Sequence, residues 1–171
     1  DMEAFARGRL PSASYVAPRP LGSSSCPILW INQPPDGGIL IIQEGMEVFC
    51  DGSSKLSGGQ RYAGWAFAVL GPEGNLRHAA YGHAPGEVCP RQTSRDAEDY
   101  AAVRAAELII GAFKPDIDCS GTVACINGPR GLAIGIREPR AHLWCRAFNA
   151  HPALTAAKCK GHASTSKTAL S

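Results

Sequence analysis

No apolar run in this 171-residue chain approaches the ~20 residues that a membrane span needs. The first residues lack the charged-then-apolar order of a signal segment. The seven cysteines are odd in number and contain no CxxC pair, which argues against both a disulfide framework and a zinc site. They read as reduced thiols of an intracellular chain. A strong charge of either sign is missing as well. There are 17 Lys and Arg against 15 Asp and Glu, a net charge of +2 and a pI near 8.2. That balance permits a nucleic-acid partner without demanding one. The hydrophobic share of 44% suits one domain with a real core plus some loose chain. A start at Asp1 rather than Met suggests a piece of a longer polypeptide.

What is present changes character along the chain. Residues 1–43 are rich in Pro, Ser and Gly, and the stretch to Gly38 has neither a period of 2 nor one of 3.6. A flexible leader or linker is expected there, with the domain over 44–171. Cys26 to Trp30 is one apolar knot able to dock on that domain. Ile39 to Ile42 reads as a short strand or as a hydrophobic patch over one.

From Glu44 the pattern is a fold. Met46 to Cys50 reads as the first strand. Met46, Val48 and Cys50 share one face; Glu47, Phe49 and Asp51 share the other. Asp51 is expected to close this strand ahead of a Gly/Ser-rich turn over 53–61. Tyr62 to Leu70 is apolar on both faces, as in a central strand covered on both sides. Gly71 to Gly74 signals a hairpin, and Leu76 to Gly82 the return strand. The three strands make an antiparallel meander.

Ala84 to Arg95 reads as loop. Asp96 to Ala112 is the clearest helix, with Ser94 as N-cap and Asp96, Glu98 and Asp99 near the positive end of its dipole. Ala101, Ala105, Leu108 and Ala112 recur at helical spacing, and Gly111 and Pro115 end the helix. A short strand is expected over 115–119, a small helix from Gly121 to Ile126 and a turn at Asn127 to Arg130. A helix over Arg137–Asn149 and a last strand over Leu154–Lys160 follow. Strands first, then alternation with helices, imply an α/β fold with a mixed sheet.

Three carboxylates fall where a common centre is possible. Asp51 sits on rigid strand backbone. Glu98 lies one turn before Ala101 and Ala102 and so faces the sheet. Asp118 ends the strand after the helix. Converging carboxylates suit a hard divalent cation such as Mg²⁺. Two such ions about 3.5–4 Å apart can activate a water and steady the leaving oxygen in phosphodiester cleavage. Each residue also has a plainer reading. Asp-Gly-Ser is common turn chemistry. Glu98 suits a helix start, Asp118 a turn and His162 a surface loop. Asp116 shares Asp118's strand face and competes with it as a ligand.

The order of motifs adds to this. Cys50-Asp51-Gly52-Ser53 comes first, then Gly64-Trp65, then Ala97-Glu98 opening an alanine-rich helix. Asp118 to Val123 follows, and Lys158-Cys-Lys160-Gly161-His162-Ala163 closes the set. Over about Glu44 to Ser164 this resembles ribonuclease H domains, in particular those attached to reverse transcriptases of retroelements. The resemblance implies a ribonuclease H-like five-stranded mixed sheet of order 3-2-1-4-5 with helices on both faces. It implies cleavage of the RNA strand of RNA–DNA hybrids with Mg²⁺, or Mn²⁺ as a substitute. A reverse transcriptase domain in the same polyprotein would be a partner. Asp51, Glu98 and Asp118 match the family's metal-binding carboxylates. His162 matches its mobile histidine, tied to proton transfer or product release.

The chain departs from the family in three places. No Asp or Glu occurs from Ala163 to Ser171, where a fourth carboxylate normally follows the Gly-His loop, and Lys167 stands about where some relatives have Asp. The helix that the family carries on from there would fall past Ser171, so a domain truncated at its C-terminus is expected. Ser94 and Arg95 stand where relatives use an Asn pair to read the 2′-hydroxyl. Reduced activity, or activity only at high Mg²⁺ or Mn²⁺, is expected. Hybrids are read by shape, phosphates and 2′-hydroxyls. The expected substrate contacts are Gly52, Ser53, Ser54, Ser94, Arg95 and Lys160. The Gly58-Gly59 backbone, Arg91, Arg104 and Lys158 are further candidates, whereas Trp65 and Trp144 read as core. A non-catalytic domain that binds duplexes or tethers a polymerase is the alternative. A third reading, another nuclease or a strand transferase on the same sheet, fits the Gly-His loop less well.

Overall fold

The computed structural model describes residues 26–160. Its main sheet has six strands: β1 (Leu29–Ile31), β3 (Glu47–Ser57), β4 (Gln60–Leu70), β5 (Leu76–His83), β7 (Asp116–Ile117) and β8 (Ala157–Lys158). Their order is β1-β5-β4-β3-β7-β8. The five expected strands are neighbours in it, and β1 extends the sheet at one edge. β3, β4 and β5 form the antiparallel meander, whereas β7 and β8 join in parallel. A separate pair, β2 (Leu40–Ile41) and β6 (Ile109–Ile110), is parallel too.

The core follows from the alternation of β4. Trp65, Phe67 and Val69 are buried on one face beside Val48 and Cys50 of β3. Full burial of a side chain such as Phe67 contributes about 1.5–3 kcal/mol. The long helix α1 (Ser94–Leu108) lies on that face. Its Ala97, Ala101, Ala102 and Ala105 are fully buried, and small side chains let a helix approach a sheet closely. Behind it come α2 (Ser120–Asn127), α3 (Arg130–Ala133) and α4 (Ala141–Ala150). Glu107 of α1 binds Arg146 of α4 at 2.7 Å, and Thr122 of α2 donates to Asp99 of α1 at 2.6 Å. Helices were expected on both faces of the sheet. Among the described residues they gather on this one, and Phe49, Ala66 and Ala68 remain partly exposed on the other.

Several expected boundaries shift for physical reasons. The leader expected over 1–43 holds two strands within its described part. Trp30 packs edge-on to Phe67 at 6.0 Å, and Leu29–Ile31 pair with Ala79–Tyr81, so this segment belongs to the domain. Residues 1–25 lie outside the described part. The turn expected over 53–61 is mostly strand. Gly58 and Gly59 both have positive φ, 58° and 78°, and make a two-residue hairpin turn whose twist suits the flanking strands. β3 therefore runs on to Ser57, and Asp51 sits inside it rather than at its end. The helix stops at Leu108 rather than Ala112, because the β-branched Ile109 and Ile110 pair with Leu40 and Ile41. α4 begins at Ala141 rather than Arg137, since Pro139 disfavours helical backbone just before it.

Candidate metal centre at the sheet edge

β3 pairs with β4 along its whole length, but with β7 only at Phe49↔Asp116 and Cys50↔Ile117. Asp51 is the next residue past that short ladder. There the start of α1 closes on β3. A Cβ added at Gly52 would lie 2.2 Å from the Glu98 nitrogen and 2.3 Å from the Ala97 carbonyl carbon. Only glycine allows this approach. It brings Glu98 to the strand, where the Gly52 N–H donates to its carboxylate. Asp118 arrives from the other side, one residue beyond β7.

The result is one acidic cluster. Carboxylate oxygens of Asp51, Glu98 and Asp118 lie within 4.8 Å of one another. Asp116, the rival ligand, is not in that group; it lines an adjoining cavity of about 210 Å³ with Asp51, Asp118, Cys159 and Lys160. Glu98 is the buried member, 7% exposed. Its Oε2 is buried without a hydrogen-bond partner. Burial first, then the charges of Asp118 and Asp51, push its carboxyl from the usual 4.5 up to about 8, while the Gly52 N–H pulls the other way.

This donor set fits a hard divalent ion. Three carboxylates converge, and the one that is buried keeps an oxygen without a hydrogen-bond partner. The thiols nearby do not compete. Burial, then the neighbouring acids, push both Cys50 and Cys159 up, so they stay protonated near neutrality.

No protein-family model and no curated protein matches the chain. Solved structures do. The RNase H domain of prototype foamy virus matches with a TM-score of 0.55 at 16% identity, over 71% of this chain and 82% of that one. LC11-RNase H1, isolated from compost and solved with an RNA/DNA hybrid, gives 0.50 at 16% identity, over 68% and 86%. The foamy viral protease-reverse transcriptase, also solved with a hybrid, gives 0.54 at 14% identity, over 70% of this chain and 18% of its own.

The chain has a ribonuclease H-like fold. Identities this low carry the architecture alone, and the chemistry has to be argued from side chains. In this ribonuclease H-like domain the expected substrate contacts separate into two kinds. Ser53 and Lys160 are exposed and border the acids, Ser53 in a groove beside Asp51 and Lys160 in the cavity. Ser94 and Arg91 are exposed at and before the helix start. The others have structural partners. Gly52 is filled by the approach of α1. Ser54 Oγ donates to the Gln92 carbonyl at 2.6 Å. Arg95 binds Asp99 at 2.9 Å, and Arg104 pairs with Glu107 while lying over the Trp65 ring. Lys158 Nζ donates to the Asp118 carbonyl. Trp65 and Trp144 are core, as expected. His162 and Lys167 lie outside the described residues.

Two features escape a reading of the sequence. The N-cap is Thr93, not Ser94; its side chain accepts from Asp96 N–H, and Asp96 in turn accepts from Thr93 N–H. This capping box is legible in hindsight, since Asp stands three residues after Thr. Gln92 carried no signal. It is buried with φ at 51°. Its amide accepts from Ala63 N–H at 2.8 Å and donates to the Ala84 and Cys89 carbonyls. A polar residue in a Pro-rich loop reads as solvated, yet here it latches the loop before α1 onto β4.

Proposed function

We propose that the chain is a divalent-metal-dependent nuclease that hydrolyses the RNA strand of RNA–DNA hybrids. The observation that carries this reading is the cluster of Asp51, Glu98 and Asp118, with the orphaned Glu98 oxygen, at the edge of a ribonuclease H-like sheet. Those three residues would hold Mg²⁺, or Mn²⁺ in its place. When bound, paired ions of this kind activate a water and stabilise the leaving oxygen of a phosphodiester. The protein's own part is to keep three like charges together and to hold the strand beside them. Ser53 and Lys160 are suited to sugar and phosphate contacts. His162 is the candidate for proton transfer or product release. A reverse transcriptase in the same polyprotein is the proposed partner, in line with the protease-reverse transcriptase among the structural neighbours.

Among the described residues the cluster counts three carboxylates. A three-carboxylate set should hold a second ion weakly, so activity is expected at high Mg²⁺ or Mn²⁺. The same observation favours a second reading, a domain that binds hybrid without cutting it. A labelled hybrid, a double-stranded RNA and a single-stranded DNA, each incubated with Mg²⁺ and with Mn²⁺, separate the two. Metal-dependent cleavage of the RNA strand of the hybrid, abolished in Asp51→Asn, is expected. Cleavage unchanged in that variant would remove the proposal, and hybrid binding without cleavage would establish the second reading.

A further inference from the structure

Asp99 follows Glu98 and was expected near the positive end of the helix dipole. It is fully buried. About 100° around α1 from Glu98, its carboxylate meets Thr122 of α2 and Arg140 at the entry to α4. Thr122 Oγ1 of α2 donates to it at 2.6 Å. Arg95 Nε donates to both its oxygens at 2.9 and 3.0 Å. Arg140, at the cap of α4, lies 2.7 Å away and also contacts Glu138 and Asp96. Gly121 leaves room for this clasp. A Cβ there would lie 1.6 Å from Arg95 Nη1.

The clasp joins the two elements that bring ligands together. Glu98 is its immediate neighbour on α1. Thr122 stands four residues after Asp118, on the helix that Asp118 leads into. β7, which carries Asp118 to the site, has two residues and two ladder positions on β3. So short a strand is a weak anchor for a carboxylate that must stay close to two like charges. A fully paired buried carboxylate resists displacement, because moving it would leave a charge without partners.

We infer that Asp99 is a positioning residue that sets the distance between Glu98 and Asp118 by tying α1 to α2. The inference rests on the metal-centre reading above. It assigns to Asp99, Thr122 and Arg95 the role of outer supports for the carboxylates, which accounts for Arg95 being bound to Asp99 rather than left free for a phosphate.

The test is Mn²⁺ binding to the whole chain without substrate, followed by electron paramagnetic resonance or calorimetry. Asp99→Asn should weaken Mn²⁺ binding by about 10–100-fold, the usual cost of losing an outer support. Thr122→Val should weaken it in the same direction, and Thr122→Ser, which keeps the hydroxyl, should restore it. Phe148→Leu, a destabilising change in the core of α4, should leave it within about twofold if stability alone is not the cause. Folded Asp99→Asn with wild-type Mn²⁺ affinity would overturn the inference. If Asp99→Asn does not fold, unchanged affinity in Thr122→Val would overturn it equally. A wild-type chain that binds no Mn²⁺ removes the metal-centre reading and this inference together, whereas a binding wild type with indifferent variants removes this inference alone.

Discussion

On one side of the acidic centre, Asp51 stands on an eleven-residue strand laddered along its length to β4, and Glu98 on a helix of 15 residues. On the other side, Asp118 follows a strand of two residues. The first side draws its rigidity from repetition: many backbone hydrogen bonds and a helix lying close on a strand. The second side draws it from a few buried polar contacts around Asp99. Both devices hold like charges together, but they should fail differently. A backbone clash on the first side disrupts packing, whereas a lost contact on the second loosens one carboxylate.

The comparison breaks most visibly at Gly52. Gly52→Ala forces a methyl into the backbone of Ala97 and Glu98. It should destabilise the protein by about 3 kcal/mol through overpacking and separate α1 from β3. Urea unfolding measures the first effect and loss of Mn²⁺ binding the second. A variant as stable as wild type would show that the two elements can part cheaply.

Next in size is the electrostatic strain on Glu98. Its folded carboxyl titrates at about 8 against an ordinary 4.5. The folded metal-free protein therefore favours the protonated form. That stabilising share is fully present below the ordinary value and is lost as pH rises through the folded one. Glu98→Gln mimics the protonated acid. Without metal it should match wild type near pH 4.5 and exceed it in stability above pH 8, as read by urea unfolding in chelator. In the wild type a bound ion must displace this proton, so affinity should fall by about tenfold per pH unit below the folded value. Affinity independent of pH over that range would mean that Glu98 is not a ligand.

The smallest effect is expected from Asp116. It shares the cavity with Asp118 but stands outside the clustered trio. Asp116→Asn should change Mn²⁺ affinity by no more than about twofold, a screened charge effect, whereas Asp118→Asn should remove a ligand outright. Equal losses in the two variants would put Asp116 in the ligand set and blunt the contrast between the two sides.

Much of this was legible in the residues. The alternation of Tyr62–Leu70 marks β4 and its buried face, and the spaced alanines mark α1. The carboxylate trio could be named because each member sits in a short, typical motif. Legibility failed where partners are far apart in the chain. Ile109 and Ile110 look helical until Leu40 and Ile41 lie beside them. Leu29–Ile31 look like part of a linker until the edge of β5 accepts them. Arg95, Ser54 and Gln92 look like surface groups, and each is taken up by a partly or fully buried contact.

The order of residues by itself determined the meander, the long helix and which acids could meet, because period, turn glycines and capping groups act over a few positions. Only the tertiary structure decided that Asp51, Glu98 and Asp118 do meet, that Asp116 stands aside, and that Asp99 is buried in a clasp. Those outcomes depend on burial and on charge at close range. Neither exists until segments distant in the chain have packed and water has left the space between them.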